Sequence, residues 1–257
     1  MINKRILYTG NYTKNANKIY KKVKKNFPQW LIETNPEIII VAGGDGSMLH
    51  AIQKYSYMKA PFFGIGAGTL NFLMKSVEPK DFIKYIKNIS LDNLEKIKTR
   101  RVKVKVLNKK NKVVFKKEAI NDIIIGNKVN DYHHIFIKED GSEKNFKGMG
   151  LIISTPLGST AMSFNNDVPI IPSLEMPMIT ISSIVSERKK SFKKFSKSKK
   201  DISIKVESRT TCKILIDGSA DQYKLKDGDK IIISNGNQVE MLFEDINEFE
   251  IKRASII

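Results

Sequence analysis

Ile38-Ile39-Ile40-Val41-Ala42-Gly43-Gly44-Asp45-Gly46-Ser47 is the stretch on which the reading of this 257-residue chain turns. The run from Glu37 to Ala42, apolar from Ile38 on and with no polar alternation, suits a strand buried on both faces, as in a parallel sheet covered by helices. The glycines then break the strand. Ser47 to Tyr57 carries helical spacing, so the segment reads as strand, tight turn and helix, the place where open α/β sheets bind ligands. Glycine lets a backbone approach a phosphate closely, and the following helix start offers unpaired N–H groups. Ser47 is the expected N-cap. Asp45 is the unusual residue, because a carboxylate repels phosphate unless it serves a metal or a hydroxyl. Taken alone, Gly43 to Gly46 fit about equally a phosphate loop and a tight turn with a capping Asp.

Outward from this segment the first hundred residues repeat the same alternation. Lys4 to Thr9 and Pro61 to Ile65 read as further strands, and Tyr12 to Phe27 and Lys80 to Ile89 as amphipathic helices. This is the pattern of a doubly wound, mostly parallel α/β domain. After Leu94 period-2 alternation takes over, beginning with Val102-Lys103-Val104-Lys105-Val106. Further strands are expected at Ala119 to Ile125, His134 to Lys138, Leu151 to Ser154, Ile202 to Val206, Cys212 to Ile216, Lys230 to Ser234 and Gln238 to Phe243. The expected division is an α/β nucleotide-binding domain over residues 1–97, a β-rich domain over residues 98–246, and residues 247–257 returning to the first. The nucleotide site is expected in the crevice between the two domains.

Composition narrows the function classes. The single Cys212 excludes an internal disulfide, and three scattered histidines (His50, His133, His134) form no zinc-spaced cluster. Ile6-Leu7-Tyr8 is too short for a signal core or a membrane span, so a cytoplasmic protein without a membrane partner is expected. Lys and Arg number 45 against 27 Asp and Glu, a net charge of +18. That balance raises nucleic acid as a partner, yet only six of the 45 are Arg, the residue suited to bidentate reading of phosphates and bases. Nucleic acid is therefore disfavoured. A positive field would steer anionic small substrates. The most biased run, Glu187 to Asp201, reads as a solvated basic loop.

Five motifs in order carry a resemblance. Gly43-Gly44-Asp45-Gly46 resembles the turn shared by NAD kinases, diacylglycerol and sphingosine kinases and phosphofructokinases. Gly64-Ile65-Gly66-Ala67-Gly68-Thr69-Leu70-Asn71-Phe72-Leu73 is similar to an NAD kinase signature, and Ala119-Ile120-Asn121-Asp122 to that family's Leu-Asn-Glu. Gly150 to Ala161, containing Ser154-Thr155-Pro156-Leu157-Gly158-Ser159-Thr160-Ala161, is similar to its longest motif, and Ile216-Asp217-Gly218 to a late Asp-Gly. The resemblance implies phosphorylation of the adenosine 2′-hydroxyl of NAD by ATP or polyphosphate, with Mg²⁺ bridging the triphosphate. It implies that Asp45 is the general base and that Gly43, Gly44, Gly46 and Gly68 line phosphates. Phe72 joins the nucleotide site. Asn121 and Asp122 would bind ribose and adenine, and Gly158, Ser159, Thr160 and Ala161 would close over the adenine. A homodimer or homotetramer is also implied.

The chain departs from the family where Gly148-Met149-Gly150 replaces Gly-Asp-Gly and Met162 replaces a Tyr. Gly66 and Asn71, and the run Ser163 to Pro169, depart as well. The adenosine half is retained and the nicotinamide half rebuilt, so looser recognition of the amide end is expected. The rival readings are a lipid or sugar kinase sharing the Gly-Gly-Asp-Gly turn and a nucleotide-binding protein that has lost catalysis.

Overall fold

The computed structural model describes residues 6–9, 14–30, 34–66, 72–78, 80–127, 131–187, 192–197, 201–218 and 222–255. The chain forms two compact units, one of Met1–Lys98 with Val239–Ile257, the other of Thr99–Gln238. In the first unit the order is β1 (Ile6–Thr9), α1 (Lys14–Asn26), β2 (Ile38–Ala42), α2 (Asp45–Tyr55), β3 (Phe62–Gly66), a short β4 (Lys75–Ser76) and α3 (Phe82–Asn88). β1, β2 and β3 pair in parallel, Tyr8 opposite Ile40 and Ile40 opposite Phe63. All five residues of β2 are buried, as an apolar run without alternation requires. Ile38, Ile40 and Ala42 pack with Ile19 and Val23 of α1 and Phe82 and Ile86 of α3 in one cluster. Ile39 and Val41 alternate to the opposite face, where α2 packs on β2 and buries Met48, Ala51 and Ile52. Helices thus cover both faces of the parallel sheet, the doubly wound arrangement.

The second unit begins within β5 (Glu95–Leu107) and is β-rich. β6 (Val113–Ala119), β7 (Asp122–Gly126), β8 (His133–Glu139), β9 (Ser142–Ser154), β10 (Ile179–Ser186), β11 (Lys193–Ser196), β12 (Ile202–Glu207), β13 (Lys213–Ile216), β14 (Gln222–Lys224) and β15 (Lys230–Phe243) follow. β9 organises it: its first half pairs antiparallel with β8, and its second half lies between β7 and β10. Isoleucines and valines from these strands interlock in one core around Ile125, Leu151, Ile153, Ile181, Ile204 and Ile214. The expected strands at Lys230 to Ser234 and Gln238 to Phe243 are one continuous strand, because Asn235-Gly236-Asn237 extends instead of turning.

The end of β15 re-enters the first unit, where Met241 and Leu242 pair in parallel with Phe62 and Phe63 of β3. α4 (Ile246–Ala254) follows. Asp245 caps it, its carboxylate accepting the Glu248 N–H at 3.0 Å, so the chain stops as a strand and starts as a helix within two residues. No described helix is long and apolar enough to cross a membrane.

Candidate active site

In the first unit the glycine turn is shaped by two different demands. Gly43 has φ of 142°, a conformation that a side chain rarely adopts, and its N–H donates to Ile65 at 3.1 Å. Gly44 is extended and stands at the N-cap of α2 without any side-chain cap. Ser47, the expected cap, lies inside the first turn and is buried, its N–H donating to Gly44 at 2.9 Å. The helix begins two residues earlier than the spacing predicts, which puts Asp45 and Gly46 on it.

Asp45 does not cap the helix either. Its Oδ1 accepts the Leu73 N–H at 2.7 Å, and the Phe72 N–H is shared between Oδ1 and Oδ2 at 3.0 and 2.9 Å. A carboxylate offers about four acceptor directions, so Oδ2 in particular retains capacity for a hydroxyl. The 72–74 segment can lie close because Gly64 has no side chain: a Cβ there would sit 2.5 Å from the Met74 sulfur and 2.8 Å from the Leu73 carbonyl. Gly46 has no such constraint, for beyond its chain neighbours and its own helix backbone no described atom lies within 4 Å of where its Cβ would be. Gly68 falls outside the described residues.

In the second unit the motif residues form one turn. Gly158 packs on Asn121 so closely that a Cβ would stand 2.0 Å from the Asn121 carbonyl oxygen. Thr155 ties the two segments, its N–H donating to Asn121 at 2.9 Å and its hydroxyl donating to Ile120. The Thr155 hydroxyl in turn accepts the Gly158 N–H at 3.1 Å. Ser159 donates its hydroxyl to Pro156 and accepts the Ile171 N–H, while Thr160 donates to Leu157 at 3.0 Å. The Ala161 N–H closes the turn on Gly158. These hydroxyls therefore build the turn, and their direction toward a ligand is limited to their remaining lone pairs.

Asp217 is the residue whose role the sequence reading did not assign. Its carboxylate accepts the N–H groups of Ile120, Asn121 and Asp122 at 2.9, 2.7 and 3.1 Å, and its own N–H donates to Asp122 at 3.0 Å. Asp217 adopts φ of 48°, a position tolerated by Asp and next to Gly218. The only sequence signal was the Asp-Gly that ends β13. Two further features mark this turn. The side-chain oxygen of Asn121 is buried and finds no hydrogen-bond partner among the described residues. The Asp122 carboxyl, 3% exposed, is pushed up to about 7 by burial, with the neighbouring Asp217 adding to the shift.

Met149 on β9 is half-buried and Met162 is exposed. Within the basic run from Glu187 to Asp201, Lys193–Ser196 form β11, paired antiparallel with β10, and Phe192 packs on the core of the second unit. This part is a strand and not the solvated loop expected; residues 188–191 and 198–200 lie outside the described residues. Among the described residues no group of three acidic, His or Cys side chains is placed to hold a metal by itself.

Residues 9–94 match the family model of the ATP-NAD kinase N-terminal domain, and residues 95–244 that of the ATP-NAD kinase C-terminal domain. The chain is 31% identical to the NAD kinase of Rickettsia rickettsii (strain Sheila Smith) over 172 residues, 66% of this chain. That match spans 64% of the relative, just under two thirds of its length. The NAD kinase of Rickettsia bellii (strain OSU 85-389) is 27% identical over 253 residues, 97% of this chain and 95% of the relative. Among solved structures, a yeast NADH kinase complexed with NADH superposes with a TM-score of 0.78 at 17% identity, covering 99% of this chain and 87% of that one. An NAD kinase from Archaeoglobus fulgidus in complex with ATP gives 0.73 at 20%, covering 98% and 99%. At these identities the structural likeness speaks for the fold.

Proposed function

The chain belongs to the NAD kinase family, and on that premise we propose that it transfers the terminal phosphoryl group of ATP to the adenosine 2′-hydroxyl of NAD. The observation that carries the reading is the Asp45 carboxylate. It leaves the helix end uncapped and is held instead by the Phe72 and Leu73 N–H groups, with an oxygen to spare. A turn-capping Asp would be spent on its own helix. Here Asp45 takes the proton of the 2′-hydroxyl while that oxygen bonds to the terminal phosphorus and the bond to the bridging oxygen of ADP breaks.

Gly46 supports the same reading. Ala in the first turn of α2 would favour the helix by up to about 1 kcal/mol over Gly, and no described neighbour demands its absence. Bare backbone there suits close approach of a phosphate. The unpartnered Asn121 oxygen suits an amino or hydroxyl donor such as adenosine presents, and Asp122 beside it suits a ribose hydroxyl. A divalent cation such as Mg²⁺, when bound with the triphosphate, would supply charge neutralisation there.

A coupled assay for NADP formation from NAD, ATP and Mg²⁺ tests the proposal, with polyphosphate as the alternative donor. Tight NAD binding without turnover with either donor would leave only the nucleotide-binding protein. A homodimer or homotetramer and a cytoplasmic location belong to the same reading, and sedimentation and cell fractionation check them.

A further inference from the structure

We propose that the C-terminal helix α4 is part of the positioning apparatus of Asp45, and that Phe249 is its contact residue. The inference rests on the kinase reading for its effect on rate, and on geometry alone for the coupling. The two N–H groups that hold Asp45 belong to Phe72 and Leu73, which follow β3 without regular structure of their own. Something else must hold them. The Phe72 ring lies 5.3 Å from the ring of Phe249, which is 5% exposed and stacks in turn on Phe243 at 4.2 Å. Such tilted and stacked ring pairs attract one another beyond the effect of their buried area.

A second tie runs parallel to the first. Lys75, three residues after Phe72, pairs with Glu244 at 2.6 Å, and Glu244 also accepts the Tyr85 hydroxyl at 2.6 Å. The helix itself is seated firmly: Asp245 caps it, Glu95 accepts the Ile246 N–H at 2.7 Å, and Arg253 is buried against Glu250 at 2.8 Å. The 72–75 segment is thus held at a ring and at a charge by the C-terminal segment, and it presents two N–H groups to the carboxylate. The three phenylalanines wall a pocket of only about 60 Å³ beside this contact, so loss of the Phe249 ring opens space into which Phe72 can turn. Displacement of a catalytic group by about 1 Å can cost as much as 100-fold in rate.

The test is Phe249→Ala, with Phe249→Leu as the conservative rescue and Lys75→Met as a variant that leaves the core intact. Amide exchange of the whole protein is read at Phe72 and Leu73 against β2 and β3, together with kcat and KM. Phe249→Ala should speed exchange at those two amides at least about tenfold while β2 and β3 stay protected. Its kcat should fall about 10- to 100-fold with KM for NAD within about threefold. Phe249→Leu should restore most of both, and Lys75→Met should show the same pattern more weakly. Unchanged exchange at Phe72 and Leu73 in Phe249→Ala and Lys75→Met would overturn the coupling. So would acceleration spread evenly over β2 and β3, because that is ordinary loss of stability. If the unmodified protein makes no NADP, the kinase reading fails while the exchange measurement still decides the coupling.

Discussion

Two turns carry the candidate chemistry, and they are built in opposite ways. Around Asp45 a few long-range hydrogen bonds hold one side chain, the neighbouring Gly46 has open space, and the partner segment depends on distant aromatic and charged contacts. Around Asn121 most short-range groups are spent: Gly158 touches backbone, Thr155, Ser159 and Thr160 bond internally, and Asp217 gathers three successive N–H groups. The first arrangement keeps a reactive group adjustable. The second makes a closely bonded plate on which the Asn121 side-chain oxygen and the Ser154 hydroxyl are left without a partner among the described residues. Rate should therefore be sensitive to the first turn, and stability and affinity to the second.

Asp45→Asn should break the comparison most strongly. The amide oxygen can still accept the Phe72 and Leu73 N–H groups, so the fold persists, yet it cannot take a proton. Loss of about 10²- to 10⁴-fold in kcat with KM within a few-fold is expected from steady-state kinetics. A variant with unchanged kcat would reduce Asp45 to an organiser of the 72–73 segment.

Gly158→Ala should act on stability. A Cβ at 2.0 Å from the Asn121 carbonyl oxygen forces the backbone apart, and the cost of such overpacking is about 1–3 kcal/mol or more. A calorimetric melt should show a drop of several degrees together with weakened NAD binding. Gly46→Ala, by contrast, should leave the melt unchanged or slightly raised while lowering turnover, since local packing does not oppose it.

The Asp122 carboxyl gives the plate a pH signature. Its folded value of about 7 stands above the unfolded 3.8, so between these values the folded state holds a proton that the unfolded state has lost. Stability should fall as pH rises through this window, by at most about 1.4 kcal/mol per pH unit for one proton, and level off above it. Melts from pH 5 to 8 should show the slope, and Asp122→Asn should flatten it. The smallest effect is expected from Asn121→Ala: near-neutral stability, because the lost oxygen has no partner, and NAD affinity weaker by about tenfold or less in calorimetric titration.

The strand, glycine turn and helix around Asp45 were legible because local rules decide them: an unbroken apolar run is buried on both sides, and glycine ends it. The β-rich texture after Leu94 was legible for the same reason, from period-2 alternation. Other features were not. Ser47 has the chemistry of a cap, but α2 starts earlier, with Gly44 at its N-cap, and burial of Ser47 and Met48 places both inside the helix. β10 was missed because its Ser182 and Ser183 look like loop residues, although both are buried against β9 and β11. Family resemblance supplied the candidate roles of Asn121, Asp122 and Thr160, which no spacing in the chain would have suggested.

By itself the sequence determined where backbone can bend and where it must be buried: the β2 run, the positive-φ Gly43, and the turn through Gly158. It also placed the carboxylate of Asp45 and the amide of Asn121 at those bends. Only the tertiary structure decided what holds each of them. Asp217 lies about a hundred positions from the N–H groups that it gathers, and Phe249, near the C-terminus, packs on the ring of Phe72 in the N-terminal third of the chain. Such partners follow from how strands and helices close on one another. Hydrogen-bond and ring contacts act over a few ångströms of space and carry no mark in sequence separation.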